Sequence, residues 1–156
     1  MELAVFFFLS WLAISIFTVI NKDLNIVKNT FIFLIILIVS INFSWVINDE
    51  LKLITLKEKW VPYTAYLLNR SILIPVLVLL QVNLFIKTNS YIKKGIIMVS
   101  SIIILLMISF ISTRLNMIEF KEWNLWLEAI YLLCLNLIGL ISYTLFNKIK
   151  GVQENK

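Results

Sequence analysis

A chain of 156 residues that is 61% hydrophobic, only 15% charged and formally +5 differs sharply from a water-soluble domain of its length. Such domains are usually near half apolar and about a quarter charged. One Cys (Cys134) excludes an internal disulfide, and the lack of His excludes the usual zinc sites and any Ser-His-Asp or Cys-His catalytic arrangement.

The apolar excess lies in five runs, at residues 3–20, 31–47, 66–86, 95–112 and 125–146. Each is long enough to cross a hydrocarbon core, which takes about 20 helical residues with roughly 17 as the lower limit. The expected fold is therefore all-α: a polytopic membrane protein, one integral-membrane domain over residues 1–156 built as a bundle of five transmembrane helices. The first run has no basic stretch before it, since Glu2 is the only early charge, and no small-residue cleavage site after it. It reads as an uncleaved first helix and not as a secretory signal.

In the second run Ser40, Ser44 and Asn48 stand at i, i+4 and i+8, a hydrogen-bonding stripe, while Asn42 and Asp49 are seven residues apart on another face. The longest segment between runs follows. Its Leu53, Leu56 and Trp60 share a helical face, so it reads as an interfacial segment, with a strand or a partner-docking stretch as alternatives.

Residues 71–86 span only about 24 Å as a helix, so the third helix must begin at or before Tyr66 and carry Arg70 within it. Pro62 fits the approach to this helix, and Pro75 is expected to kink it and free a carbonyl one turn earlier, near Ser71. Arg70, Ile74, Leu77 and Gln81 are spaced to share a face. The fourth run offers Ser109, Ser112 and Thr113. On the fifth, Tyr131, Leu135, Asn136, Gly139, Ser142, Tyr143 and Phe146 fall on the face headed by Glu128, which reads as one inward polar stripe with an apolar back toward lipid.

Arg70 and Glu128 are the sharpest features. An ionisable side chain at membrane depth costs several kcal/mol by the lower estimates (~3 kcal/mol), so it faces a partner or a wet cavity. Both lie a few residues from the same membrane face. Three arrangements follow: an Arg70–Glu128 ion pair tethering two helices, Arg70 snorkelling to the interface, or an outward-facing polar pocket lined by Asn48, Asp49, Asn69, Arg70, Glu128 and Tyr131.

Orientation follows from Lys and Arg near the span ends. With the N-terminus outside and the C-terminus cytoplasmic, Lys22, Lys28, Lys87, Lys93, Lys94, Lys148, Lys150 and Lys156 lie inside, eight in all. Six lie outside: Lys52, Lys57, Lys59, Arg70, Arg114 and Lys121. Trp45, Trp60, Trp123 and Trp126 would then mark the outer interface. The skew to 27 Ile and 13 Asn against four Ala, with 12 Lys to two Arg, is that of AT-rich codons and suggests a bacterial source.

No phosphate loop, CxxC or HExxH pattern is present, and no motif carries the chain to a known five-span family. An enzyme is not expected, nor a cofactor, a metal or a nucleic-acid partner. The leading expectation is a non-enzymatic accessory, assembly or regulatory subunit in a bacterial cell membrane. It would work through contacts with another membrane protein or by self-association. The alternative is a small transporter or ligand-binding protein that uses the pocket around Arg70 and Glu128.

Overall fold

The structure, a computed structural model, describes residues 1–57 and 59–154, with side chains through residue 149. Glu58 and the side chains of Lys150 and Lys156, the latter two counted above for orientation, lie outside the described residues. Five helices are long and apolar enough to cross a membrane: α1 (Glu2–Val19), α2 (Ile26–Glu50), α3 (Trp60–Lys87), α4 (Tyr91–Arg114) and α5 (Leu125–Glu154). The fold is the expected five-helix membrane bundle.

The helices outrun the apolar runs because polar residues can continue a helix into the interface. Asn25 caps α2 by accepting from the Lys28 N–H at 3.0 Å, and Asn124 accepts from Leu127 N–H at 3.0 Å where α5 begins. α3 starts at Trp60, ahead of Tyr66 as the length of its span requires. Pro62 then falls in its first turn, where a missing N–H is without cost.

α3 stands at the centre and touches all four other helices, while α2 packs on α5 and α5 on α4. The apolar core falls into two clusters: Ile32, Ile36, Val78, Val82, Leu105, Leu132 and Leu135 form one, and Phe6 and Ala13 of α1 with Ala65, Leu73 and Met117 form the other. Gly139 of α5 lets three helices meet. A Cβ there would come within 3.0 Å of Val82 and 3.2 Å of Val78 on α3, and 3.6 Å of Ile36 on α2.

Interhelical hydrogen bonds cross this core. Ser101 donates to Asn136 Oδ1 at 2.9 Å, joining α4 to α5, and Asn83 Nδ2 donates to Asn29 Oδ1 at 2.8 Å, joining α3 to α2. Asn29 in turn donates to the Leu24 carbonyl at 3.0 Å. Asn83→Leu leaves the buried Asn29 oxygen without its donor and is expected to lower unfolding free energy by about 1 kcal/mol. The double variant Asn29→Leu/Asn83→Leu, which removes both partners, should recover part of that. A double-mutant cycle of thermal unfolding in detergent checks it, and additive losses would mean that the two amides do not interact.

At one end the two longest connections pair. β1 (Ile54–Leu56) runs antiparallel to β2 (Ile118–Phe120), with Ile54 opposite Phe120 and Leu56 opposite Ile118. Of the readings open for this segment, the strand is the one that Ile54–Leu56 adopts. The pair alternates, turning Ile54, Leu56, Ile118 and Phe120 onto the bundle and leaving Thr55 and Glu119 outward. Two strands alone are marginal in water, so that apolar face is what holds them. Lys52 and Asn116 supply the left-handed turns (φ 52° and 55°) that lead into each strand.

Candidate functional site

Beneath the strand pair lies a cavity of about 60 Å³ bounded by α2, α3, α4 and α5, with Ile54 and Ile118 of the strands over it. Five of the six residues expected to form a polar pocket line it: Asn48, Asn69, Arg70, Glu128 and Tyr131. The sixth, Asp49, does not. It is exposed and faces a surface groove of about 480 Å³ with Lys52, Thr55, Lys57 and Tyr63. Asn48 and Ile54 border both spaces and form the partition between them. Ser40 and Ser44 also line the cavity, so the whole i, i+4, i+8 stripe of α2 opens onto it. Below, Leu105 and Leu132 close it against the apolar core.

Two wide turns shape its walls. The end of α2 (Val46–Glu50) and the middle of α3 (Asn69–Leu73) are π-helical. In α3 the Ile74 N–H reaches back to the Asn69 carbonyl, five residues away. In that register the donor due to the Arg70 carbonyl is Pro75, which has no N–H. The freed carbonyl is therefore that of Arg70 and not Ser71. It accepts from Ser40 Oγ at 3.5 Å, and Ser40 accepts from the Tyr131 hydroxyl at 3.3 Å. Three helices are joined through that one orphaned carbonyl.

The wide turn also corrects the expected face of α3. Arg70 and Gln81 do not share a surface: Arg70 lines this cavity, whereas Gln81 lines a separate cleft against α4 with Ser100 and Ser101. One additional residue in the turn displaces the helical phase by about 100°, enough to part them.

Nor do Arg70 and Glu128 form the expected ion pair. Among the described residues no cationic nitrogen lies within 4.0 Å of the Glu128 carboxylate, and no carboxylate lies within that distance of Arg70. Glu128, 9% exposed, is held by neutral donors: Ser109 Oγ at 3.0 Å on one oxygen and the Trp123 indole N–H at 2.8 Å on the other. The Arg70 guanidinium lies 5.4 Å from the centre of the Tyr66 ring, and its Nε is buried without a hydrogen-bond partner.

Trp123 is the residue that the sequence pattern misplaced. Trp45, Trp60 and Trp126 are 53%, 89% and 81% exposed at the strand end, as interfacial rings should be. Trp123 is 8% exposed, turned inward to donate to Glu128 and packed edge-on to Phe43 with ring centres 5.9 Å apart. Its five-residue spacing from Glu128 was the only available signal. Phe43 also stacks flat on Tyr131 at 4.0 Å, which fixes the phenol over Ser40. Neighbouring Asn48 donates to the Tyr66 hydroxyl at 2.7 Å.

Asn69, 6% exposed, completes the wall. Its amide nitrogen faces Ser112 Oγ at 3.5 Å. Ser112 spends its own hydrogen on the Ile108 carbonyl at 3.0 Å, so it can only accept from Asn69. The Asn69 carbonyl oxygen is thereby turned away from Ser112, buried and unpartnered. The cavity thus carries one cation, one anion and one orphaned acceptor that are not matched to one another. No group of three or more metal-ligating side chains occurs among the described residues. No protein-family model matches the chain, and no curated protein or solved structure matches it either.

Proposed function

We propose that this protein is a ligand-binding membrane protein whose cavity opens outward at the strand end, in a bacterial cell membrane with the N-terminus outside and the C-terminus cytoplasmic. The observation that carries the reading is that Arg70 and Glu128 line one cavity without touching. Charges retained at membrane depth and left unneutralised by each other are the signature of a site kept for something else. The apolar layer beneath the cavity makes it a dead end in this state, which suits binding or one state of a transporter more than an open channel. The orientation rests on the excess of lysines at the opposite end and on Trp45, Trp60 and Trp126 at this one.

Reaction of a cysteine placed at Ser44, in a Cys134→Ser background, with a membrane-impermeant thiol reagent tests the reading. Ser44→Cys is expected to label from outside intact cells, and adding Ile54→Trp at the partition should slow labelling at least tenfold. Labelling only after the membrane is opened would reverse the orientation, and no labelling at all would remove the outward cavity.

A second reading, an accessory subunit working through protein contacts, is favoured by the groove beside the cavity. Its lining by Asp49, Lys52, Thr55, Lys57 and Tyr63 could seat an extended segment of a partner. Co-purification of one stoichiometric membrane partner, lost on Lys52→Glu/Lys57→Glu, would bring that reading forward.

A further inference from the structure

We infer that the ligand is a small zwitterion, one anionic group joined to one primary ammonium, with the anion on Arg70 and the ammonium between the Asn69 carbonyl oxygen and the Glu128 carboxylate. The inference deepens the cavity reading above and rests on it.

Three residues with unmet demands line one space. Arg70 presents a buried Nε–H with no acceptor and a guanidinium with no carboxylate within 4.0 Å among the described residues. A guest must supply acceptor atoms there, and a negative charge is the strongest form of acceptor. Asn69 presents a buried oxygen with no donor, turned away from Ser112 of α4, which takes the amide nitrogen. Glu128 keeps lone pairs beyond those used by Ser109 and Trp123 and has no cation within 4.0 Å. A guest must supply donors at both, and a primary ammonium carries three. A simple anion would satisfy Arg70 and place a second negative charge near Glu128. A simple cation would make the opposite error. Only a guest with both charges satisfies the wall without adding net charge at membrane depth.

Size agrees. A space of about 60 Å³ holds about two waters at roughly 30 Å³ each, so only the smallest zwitterions fit it without the wall giving way. The same chemistry, an anion joined to a primary ammonium, also occurs in a phosphoethanolamine headgroup, and the cavity lies at the interfacial end of the bundle where either a free solute or a headgroup can reach it.

The melting-temperature comparison of probes uses the unaltered chain, so its outcome does not depend on a variant folding. Melting temperature in detergent is followed with glycine, phosphoethanolamine, acetate and methylammonium at equal concentration. Trp123 emission is followed in a chain with Trp11, Trp45, Trp60 and Trp126 changed to Phe, since that indole is bonded to Glu128. Glycine or phosphoethanolamine should raise the melting temperature and shift the emission, with each single-charge ion at least about tenfold weaker. Arg70→Gln should weaken the zwitterion by about 30-fold or more. A response to phosphatidylethanolamine nanodiscs without a response to either soluble zwitterion supports a headgroup as the source. Acetate or methylammonium acting as well as glycine overturns the zwitterion. So does silence of every probe, and the Ser44→Cys result then separates the two ideas: labelling from outside keeps the cavity reading alive, and its absence ends both.

Discussion

Glu128→Ala is expected to be among the most damaging single changes in this chain, lowering unfolding free energy by about 3 kcal/mol. The cost comes from the two donors left behind. The buried Trp123 indole N–H loses the acceptor it is bonded to, and Ser109 loses a charge-assisted bond. Glu128→Gln retains an acceptor for the indole and should cost about 1 kcal/mol. Trp123→Phe combined with Glu128→Ala should cost less than the sum of the two single changes. Equilibrium unfolding in mixed micelles measures all four chains. Exchanging Arg70 and Glu128 for one another would rescue an ion pair, but it is expected to rescue nothing here, because the two groups do not meet. Recovery of stability in the exchanged variant would contradict the described site.

Gly139→Leu is expected to abolish assembly of the bundle. A methyl alone would press on Val82 and Val78 at 3.0 and 3.2 Å, so Gly139→Ala should already cost about 1–3 kcal/mol. Leu adds three further carbons at a point where α2, α3 and α5 converge, where the stiff β-branched Val78 and Val82 give little and only the end of Ile36 can turn aside. Size-exclusion profiles in mild detergent should show Gly139→Ala as a destabilised monodisperse species and Gly139→Leu as aggregate. Gly95, whose Cβ would meet nothing within 4 Å, provides the control, since Gly95→Leu should leave the profile unchanged.

The spans were legible because a bilayer demands long apolar runs, and the inward stripe of α5 was legible because a regular helix preserves its phase. Leu135, Asn136, Gly139 and Ser142 are all buried there, and Cys134 on the back is exposed. The membership of the cavity was legible for a related reason: few polar residues are tolerated at that depth, and those that occur collect. What failed were inferences that needed irregular backbone or distant partners. The separation of Arg70 from Gln81 depends on a wide turn stabilised by Ser40 on another helix, and no local spacing reports that. At Ile54 the interfacial and strand readings stayed open, because the choice depends on residues 118–120, which only the assembled bundle brings near. Asp49 missed the cavity because it stands one residue beyond Asn48, on another face of α2, and is exposed there.

The strand pair has a consequence for how the protein is made. Its two halves belong to connections that leave the ribosome at different times, as do Arg70 and Glu128, which are 58 residues apart (128 − 70). At about 5–20 residues per second, roughly 3–12 s pass between synthesis of one and of the other. During that interval α3 is in the membrane with its arginine beside Tyr66, with neither roof nor far wall built. The guanidinium must meanwhile be hydrated or held by lipid headgroups at the interface. Chains that stop after α4 stay in that condition permanently, which makes them natural substrates for membrane quality-control proteolysis.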